Sequence, residues 1–209
     1  MPPTELIVIR HGETQWNLDE KRQGHQDSPL TSRGIRQAKA MAARLASMDF
    51  SALYTSDLGR AAETARIIGA RIGQRPQGEP RLRERNLGVF EGLTTPQIVE
   101  RYPDVYRQHR KPDFRVPQGE TGRELFERVV DCLEQIARNH PGQRVVVVTH
   151  GGALSALFRR CIGLPLEAER TYLLMNASMN RIRIEDGKWM LVTWGDTSHL
   201  SADGALGDS

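Results

Sequence analysis

LIVIRHGET, residues 6–14, is an unbroken apolar, β-branched run that stops at Arg10, His11 and Gly12. A short apolar run without polar alternation reads as a strand buried on both faces, as in a parallel sheet. VVVVTHGG, residues 145–152, ends the same way, in Thr149, His150 and two glycines. Helix and strand signals alternate around these runs. Thr31–Ser47 opens on a capping threonine and carries Ala38, Met41, Ala42 and Leu45 at helical spacing. Ala52–Thr55 reads as a short strand, and Leu58–Ile72 as a helix with Ala61, Ala65 and Ile68 on one face. Thr94–His109 is helical but broken at Pro103, Pro112–Gly119 is a loop, and Glu120–Asn139 is a long amphipathic helix. Gly151–Cys161 forms a helix directly after the second buried run. Arg181–Ile184 and Trp189–Trp194 flank Asp186-Gly187, a hairpin signal. The expected fold is α/β: a mainly parallel sheet with helices on both faces, made mixed by the closing hairpin. A chain of 209 residues suits one domain, 1–209, with 201–209 expected as a loose tail.

Ligands of open parallel sheets sit beyond the carboxyl ends of the strands. Both apolar runs end there in a histidine, so His11 and His150 are expected to face one crevice. Composition narrows what that crevice takes. The formal net charge is only +3, from 29 basic and 26 acidic residues, and the arginines are scattered rather than striped with aromatics. That fits a small anionic substrate better than a nucleic acid. No apolar run approaches the roughly 18 residues of a membrane span, and no signal peptide is read at the N-terminus. The only cysteines, Cys132 and Cys161, lack metal-ligand spacing, so a cytoplasmic chain with reduced thiols is expected.

His11 is a candidate nucleophile toward phosphorus if one ring nitrogen is free and the other has an acceptor that fixes the tautomer. A lone histidine at a strand end is more often structural; its neighbours change the weighing. Arg10 can hold phosphate through paired, charge-assisted bonds, although a surface ion pair is the commoner use of an arginine. Arg60 stands near a helix start, where a cation opposes the dipole, which hints at another task. Glu84, between Arg83 and Arg85, is an ordinary solvated glutamate unless it faces the site, where it can protonate a leaving oxygen. His150 precedes a glycine-opened helix whose amides suit an anion, and a second imidazole can stabilise a phosphoryl group in transfer; otherwise it is a core histidine.

Five segments then occur in order: RHGETQWN (10–17), QGHQDSPLTSRG (23–34), YTSDLGRAAETA (54–65), LRERNLGVFEG (82–92) and VVVTHGG (146–152). Together they resemble the histidine phosphatase superfamily, the phosphoglycerate mutase-like proteins, from about Leu6 to about Leu200. The resemblance implies a three-layer α/β/α sandwich with a helical insertion, 88–139, over the active site. It implies phosphohistidine at His11; a phosphate grip from Arg10, Arg60 and His150; Asn17, Gln23 or Gly24, and Gly151 around the phosphate; and Glu84 as acid and base. No metal and no cofactor are implied. A small phosphorylated metabolite is the implied partner, and a homodimer is the oligomer the family suggests. Leu87 and Gly152 stand where the bisphosphoglycerate-dependent mutases tend to have tyrosine and asparagine, and the insertion is shorter than theirs. The chain therefore looks more like the shorter bacterial phosphatases. A phosphoglycerate mutase is the main alternative; a non-catalytic binding module is disfavoured because all five catalytic positions are filled.

Overall fold

The computed structural model describes residues 2–203. Its centre is one six-stranded sheet built from β1 (Thr4–Arg10), β2 (Ala52–Thr55), β3 (Gln77–Gly78), β4 (Arg144–Thr149), β5 (Met179–Glu185) and β6 (Lys188–Asp196). The order is β3-β2-β4-β1-β5-β6. β1, β2, β3 and β4 pair in parallel, whereas β5 runs antiparallel to both β1 and β6, so the sheet is mixed. Side chains alternate across the pleat. Leu6, Val8, Val145 and Val147 enter one core and Ile7, Ile9, Val146 and Val148 the other. With both faces covered, the middle of each strand, Leu6–Ile9 and Val145–Val148, has no position for a polar residue, which explains the unbroken runs.

Helices α2 (Ser32–Leu45) and α3 (Gly59–Ile72) close one face through Met41, Ala42, Leu45, Ala61, Ala65 and Ile68. Helices α6 (Gly122–Asn139) and α7 (Gly151–Ile162) close the other through Leu125, Val129, Leu133, Ile136, Leu154 and Leu157. Thr31 caps α2, its hydroxyl accepting the Gly34 amide, and Thr121 caps α6 in a capping box with Glu124. The β5–β6 turn has Asp186 and Gly187 at φ 47° and 74°. Two successive positive φ angles are what a two-residue type I′ hairpin demands, and Asp-Gly meets that demand.

One expectation needs correcting. Of the stretch 88–139 read as an insertion, α6 belongs to the main layer, since its apolar face lies on the sheet core. The part that stands apart is 88–119. It comprises a 3₁₀ turn (Gly88–Phe90), α4 (Thr95–Arg101) and α5 (Pro103–Gln108), gathered around Phe90, Ile98 and Val116. A 3₁₀ helix, Ser198–Asp203, follows β6 and buries Leu200 against Ala40 and Ala177; of the tail read as loose, 201–209, residues 204–209 lie outside the described residues. Sequence periodicity also passed over α1 (Gln15–Leu18) and β3, which are too short to show a period.

Candidate active site

The register of the sheet makes the site. Arg10 of β1 lies opposite Thr149 of β4, so the next residue of each strand, His11 and His150, emerges at the same sheet edge. The His11 amide donates to the Thr149 carbonyl at 2.9 Å. The two imidazole rings stand 5.2 Å apart, centroid to centroid, tilted by 57°. His11 is 3% exposed and His150 fully buried.

His11 Nδ1 is 2.7 Å from the carbonyl oxygen of Gly12. Burial, followed by the positive charges of Arg10 and Arg60, holds the His11 pKa well below 6.5, against a smaller opposing effect of the Gly12 bond. The ring is therefore neutral; its Nδ1–H donates to Gly12 O, and Nε2 keeps its lone pair. Gly12 is required for a reason other than a tight turn. Its φ is not positive; rather, a Cβ here would meet the Gly34 carbonyl oxygen at 2.5 Å, where backbone meets backbone. The loop after β1 thus packs directly on the first turn of α2. Asn176 Nδ2 donates to His11 O at 3.1 Å, and the Gly12 amide to Thr64 Oγ1 at 3.1 Å, fixing the peptide on both sides.

His150 Nε2 is 2.8 Å from Ser56 Oγ, while its Nδ1 is buried without a partner. Its pKa too lies well below 6.5, from burial first and then from Arg60, His11 and Arg10. Arg10 donates through Nη1 to the Leu174 carbonyl, and its Nε is buried and unpaired. Burial pushes this guanidinium down to about 10; Glu84 opposes the shift, and Arg60 and Arg170 add to it, so it stays cationic at neutral pH. Arg60, 2% exposed, is held from one side only. Nη1 bonds Gln26 O at 2.9 Å and Asp27 Oδ1 at 2.7 Å, and Nη2 bonds Gly24 O at 2.8 Å, while Nε is left buried and bare. Buried donors without partners are costly, and here Arg10 Nε, Arg60 Nε and His150 Nδ1 share this state. An anion with several acceptor oxygens would satisfy them together.

Glu84 lies beside this cluster in an irregular loop. Its Oε1 accepts the Arg85 amide at 2.7 Å and its Oε2 the Gly152 amide at 2.9 Å, in the first turn of α7. A Cβ on Gly151 would be 3.7 Å from Arg10 Nε and 3.8 Å from Glu84 Oε2, so Gly151 borders both. The other expected rim residues act through their neighbours. Asn17 Oδ1 takes the Thr14 amide and Asn176 Nδ2; Gln23 Nε2 bonds Thr14 Oγ1; and the Gly24 carbonyl holds Arg60. Sequence reading passed over Ser56, Thr64, Asp27, Asn176 and Leu174, each of which fixes one of these groups. Within 88–119, Tyr102, Tyr106 and His109 are packing residues: His109 stacks on Tyr106 at 4.7 Å and meets Phe90 edge-on. His199 is seated against α2, its Nδ1 3.3 Å from Arg44 Nη1. Among the described residues no group of three His, Cys, Asp or Glu is placed to hold a metal ion, and no helix is long and apolar enough to cross a membrane.

A sequence profile of the histidine phosphatase superfamily (branch 1) matches residues 6–197. The metal-independent phosphoserine phosphatase of Arabidopsis thaliana is 40% identical, over 97% of this chain and 86% of its own. The probable phosphoglycerate mutase GpmB of Cronobacter sakazakii is 39% identical over 95% of both chains. In three dimensions the chain is similar to YhfR of Bacillus stearothermophilus, with a TM-score of 0.88 and 34% identity over 95% of this chain and 100% of that one. Two strand-end histidines, two buried arginines and a sequence match spanning nearly the whole chain lead to one conclusion: this protein belongs to the histidine phosphatase superfamily, branch 1.

Proposed function

We propose that this chain is a metal-independent phosphomonoesterase acting on small phosphorylated metabolites through a phosphohistidine on His11. The observation that carries the reading is the free Nε2 of His11, on a ring whose other nitrogen is tied to Gly12 O, beside three buried donors without partners. In the first step Nε2 attacks phosphorus, the P–O bond of the ester breaks, and Glu84 gives its proton to the departing oxygen. In the second, water attacks phosphorus, Glu84 takes the water proton, and the P–N bond breaks to release phosphate. Arg10 and Arg60 supply the positive charge, and they and the neutral His150 the hydrogen bonds, that the equatorial oxygens need throughout. Asn17, Gln23, Gly24 and Gly151 border the phosphate or hold the groups that grip it.

A phosphoserine phosphatase among the relatives supports the hydrolytic reading, and one named as a probable mutase supports the alternative. Both chemistries share the phosphohistidine and differ in its acceptor: water, or a second hydroxyl of a phosphoglycerate. Water reaches a phosphohistidine more readily under a cover of short pieces, and 88–119 consists of a 3₁₀ turn and two helices of seven and six residues. The test is the ratio of inorganic phosphate to 2-phosphoglycerate formed from 3-phosphoglycerate with the bisphosphate primer present. Hydrolysis is expected to dominate. Isomerisation exceeding it about tenfold, roughly 1.4 kcal/mol in barrier, would replace the phosphatase by the mutase.

A further inference from the structure

We propose that Arg128 is the positioning residue of the acid loop: it fixes the peptide that carries Glu84, and so the proton donor, against α7. This rests on the reading of Glu84 as the acid. Residues 83–87 have no regular secondary structure, so no ladder holds their carbonyls. Arg128, on the loop-facing side of α6, does so. Its Nη1 donates to Arg81 O and Arg83 O, both at 2.8 Å, and Nη2 donates to Glu84 O at 2.9 Å. Nε and Nη2 also grip the two oxygens of Glu120, at 3.2 and 2.5 Å. All five N–H groups of the guanidinium are thereby engaged, the full donor inventory of an arginine. Glu120 extends the strap, accepting the Asn86 amide at 2.9 Å through Oε1. His25 Nε2 lies 2.9 Å from the same Glu84 carbonyl and reinforces it from the Gln23–Gln26 turn.

An ordinary surface ion pair would not look like this. Such a pair uses one or two donors on one carboxylate; here the carbonyls of Arg81, Arg83 and Glu84 converge on one planar fork, with side-chain exposures of only 22% and 16% for Arg128 and Glu120. The peptide so fixed carries a carboxylate that spans the Arg85 and Gly152 amides. A displacement of the loop by a fraction of an ångström therefore moves the acid relative to the leaving oxygen. Lysine cannot replace the fork, because its three donors sit on one point.

The experiment is quenched-flow measurement of phosphoryl transfer to His11, with p-nitrophenyl phosphate and an alkyl phosphate, in the wild type, Arg128→Lys, Glu84→Gln and the double variant. Nitrophenolate departs without a proton, whereas an alkoxide does not. Arg128→Lys is expected to slow the alkyl substrate about tenfold or more and the nitrophenyl substrate less than about threefold. The double variant should be no more skewed than Glu84→Gln alone, because both changes act through one group. If Glu84→Gln shows the skew while folded Arg128→Lys slows both substrates equally, or if the two skews multiply, Arg128 is not the positioning residue. If Glu84→Gln itself shows no skew, the assignment of the acid falls, and this proposal falls with it. Should Arg128→Lys not fold, Glu120→Gln loosens the same strap from its other end and is read in the same way.

Discussion

Ser56 Oγ lies 2.8 Å from Nε2 of His150, with both side chains withdrawn entirely from solvent. The same oxygen accepts the Leu58 amide at 3.3 Å. A hydroxyl that already accepts one proton has its own proton to give, and Nε2 of a neutral imidazole is the acceptor within reach. His150 is kept neutral by burial and by Arg60, His11 and Arg10. Its single ring proton then falls on Nδ1, the atom that is buried without a partner. Ser56 thereby makes His150 Nδ1 a donor rather than a lone pair, as the proposed grip on a phosphoryl group needs.

Ser56→Ala removes that bias. A buried Nε2 is left unpaired, which should cost about 1–3 kcal/mol of stability, and the tautomer is free to reverse. Turnover is expected to fall about ten- to a hundredfold, less than the roughly hundred- to thousandfold for removing such a donor outright, because the imidazole itself remains. Nitrogen-15 spectra of the ring give the tautomer directly, and steady-state kinetics give the loss. Unchanged turnover in a variant whose His150 has reversed its tautomer would remove the serine from this role.

The same burial links stability to pH. The folded-state pKa values of His11 and His150 lie well below the ordinary 6.5. Above about pH 6.5 both are neutral, folded or unfolded, and the fold has its full stability. Below that, the unfolded chain binds protons that the folded one refuses, so stability is lost as pH falls from 6.5 toward the depressed values, by up to about 1.4 kcal/mol per unit for each ring. His109 and His199 are shifted in the same direction and add to the slope. The informative quantity is therefore a difference: melting curves between pH 7.5 and 5.0 should show a shallower acid loss for His11→Asn/His150→Asn than for the wild type. Parallel curves would mean that neither ring is the source.

Removal of metal should leave activity untouched. In the proposed mechanism the cationic Arg10 and Arg60 take the place of the charge that a divalent ion supplies in other phosphatases, and the neutral His150 adds a hydrogen bond. Assays in excess chelator are expected to match those without it, and His11→Ala to lose several orders of magnitude. Abolition by chelator with recovery on adding a divalent cation would overturn the metal-independent reading.

Much of this was legible in the sequence where a residue's role is local. β1 and β4 declare themselves because burial on both faces excludes polar residues from their middles, α2 because its threonine cap and helical spacing act within a few residues, and α6 through its amphipathic spacing. The approach of His11 to His150 followed from two strands ending alike. Relationships between distant segments had no such signature. Nothing in the composition of 54–58 or of 170–176 announces that Ser56 meets His150, or that the Leu174 carbonyl takes Arg10. The assignment of α6 to the insertion failed for a related reason. An amphipathic pattern shows that one face is covered, not which apolar surface covers it, and here that surface is the main sheet.

Gly152 gives the sharpest test of where the acid sits. A Cβ at this position would lie 2.0 Å from Glu84 Oε1 and 3.1 Å from Leu125 Cδ2. The leucine methyl can yield by a few tenths of an ångström; the carboxylate must swing by more than about 1 Å to reach ordinary contact distance. In swinging it surrenders the Arg85 amide, the Gly152 amide, or both. Gly152→Ala should nonetheless fold. Alanine favours a helix over glycine by up to about 1 kcal/mol, which offsets part of the roughly 1–3 kcal/mol that overpacking costs. Turnover of an alkyl phosphate is expected to fall about ten- to a hundredfold, that of p-nitrophenyl phosphate much less, with the melting temperature lowered by only about a few degrees. An equal fall for both substrates would point to a blocked mouth instead of a displaced acid. Full activity toward the alkyl substrate would mean that the carboxylate does its work from a position other than the α7 amide.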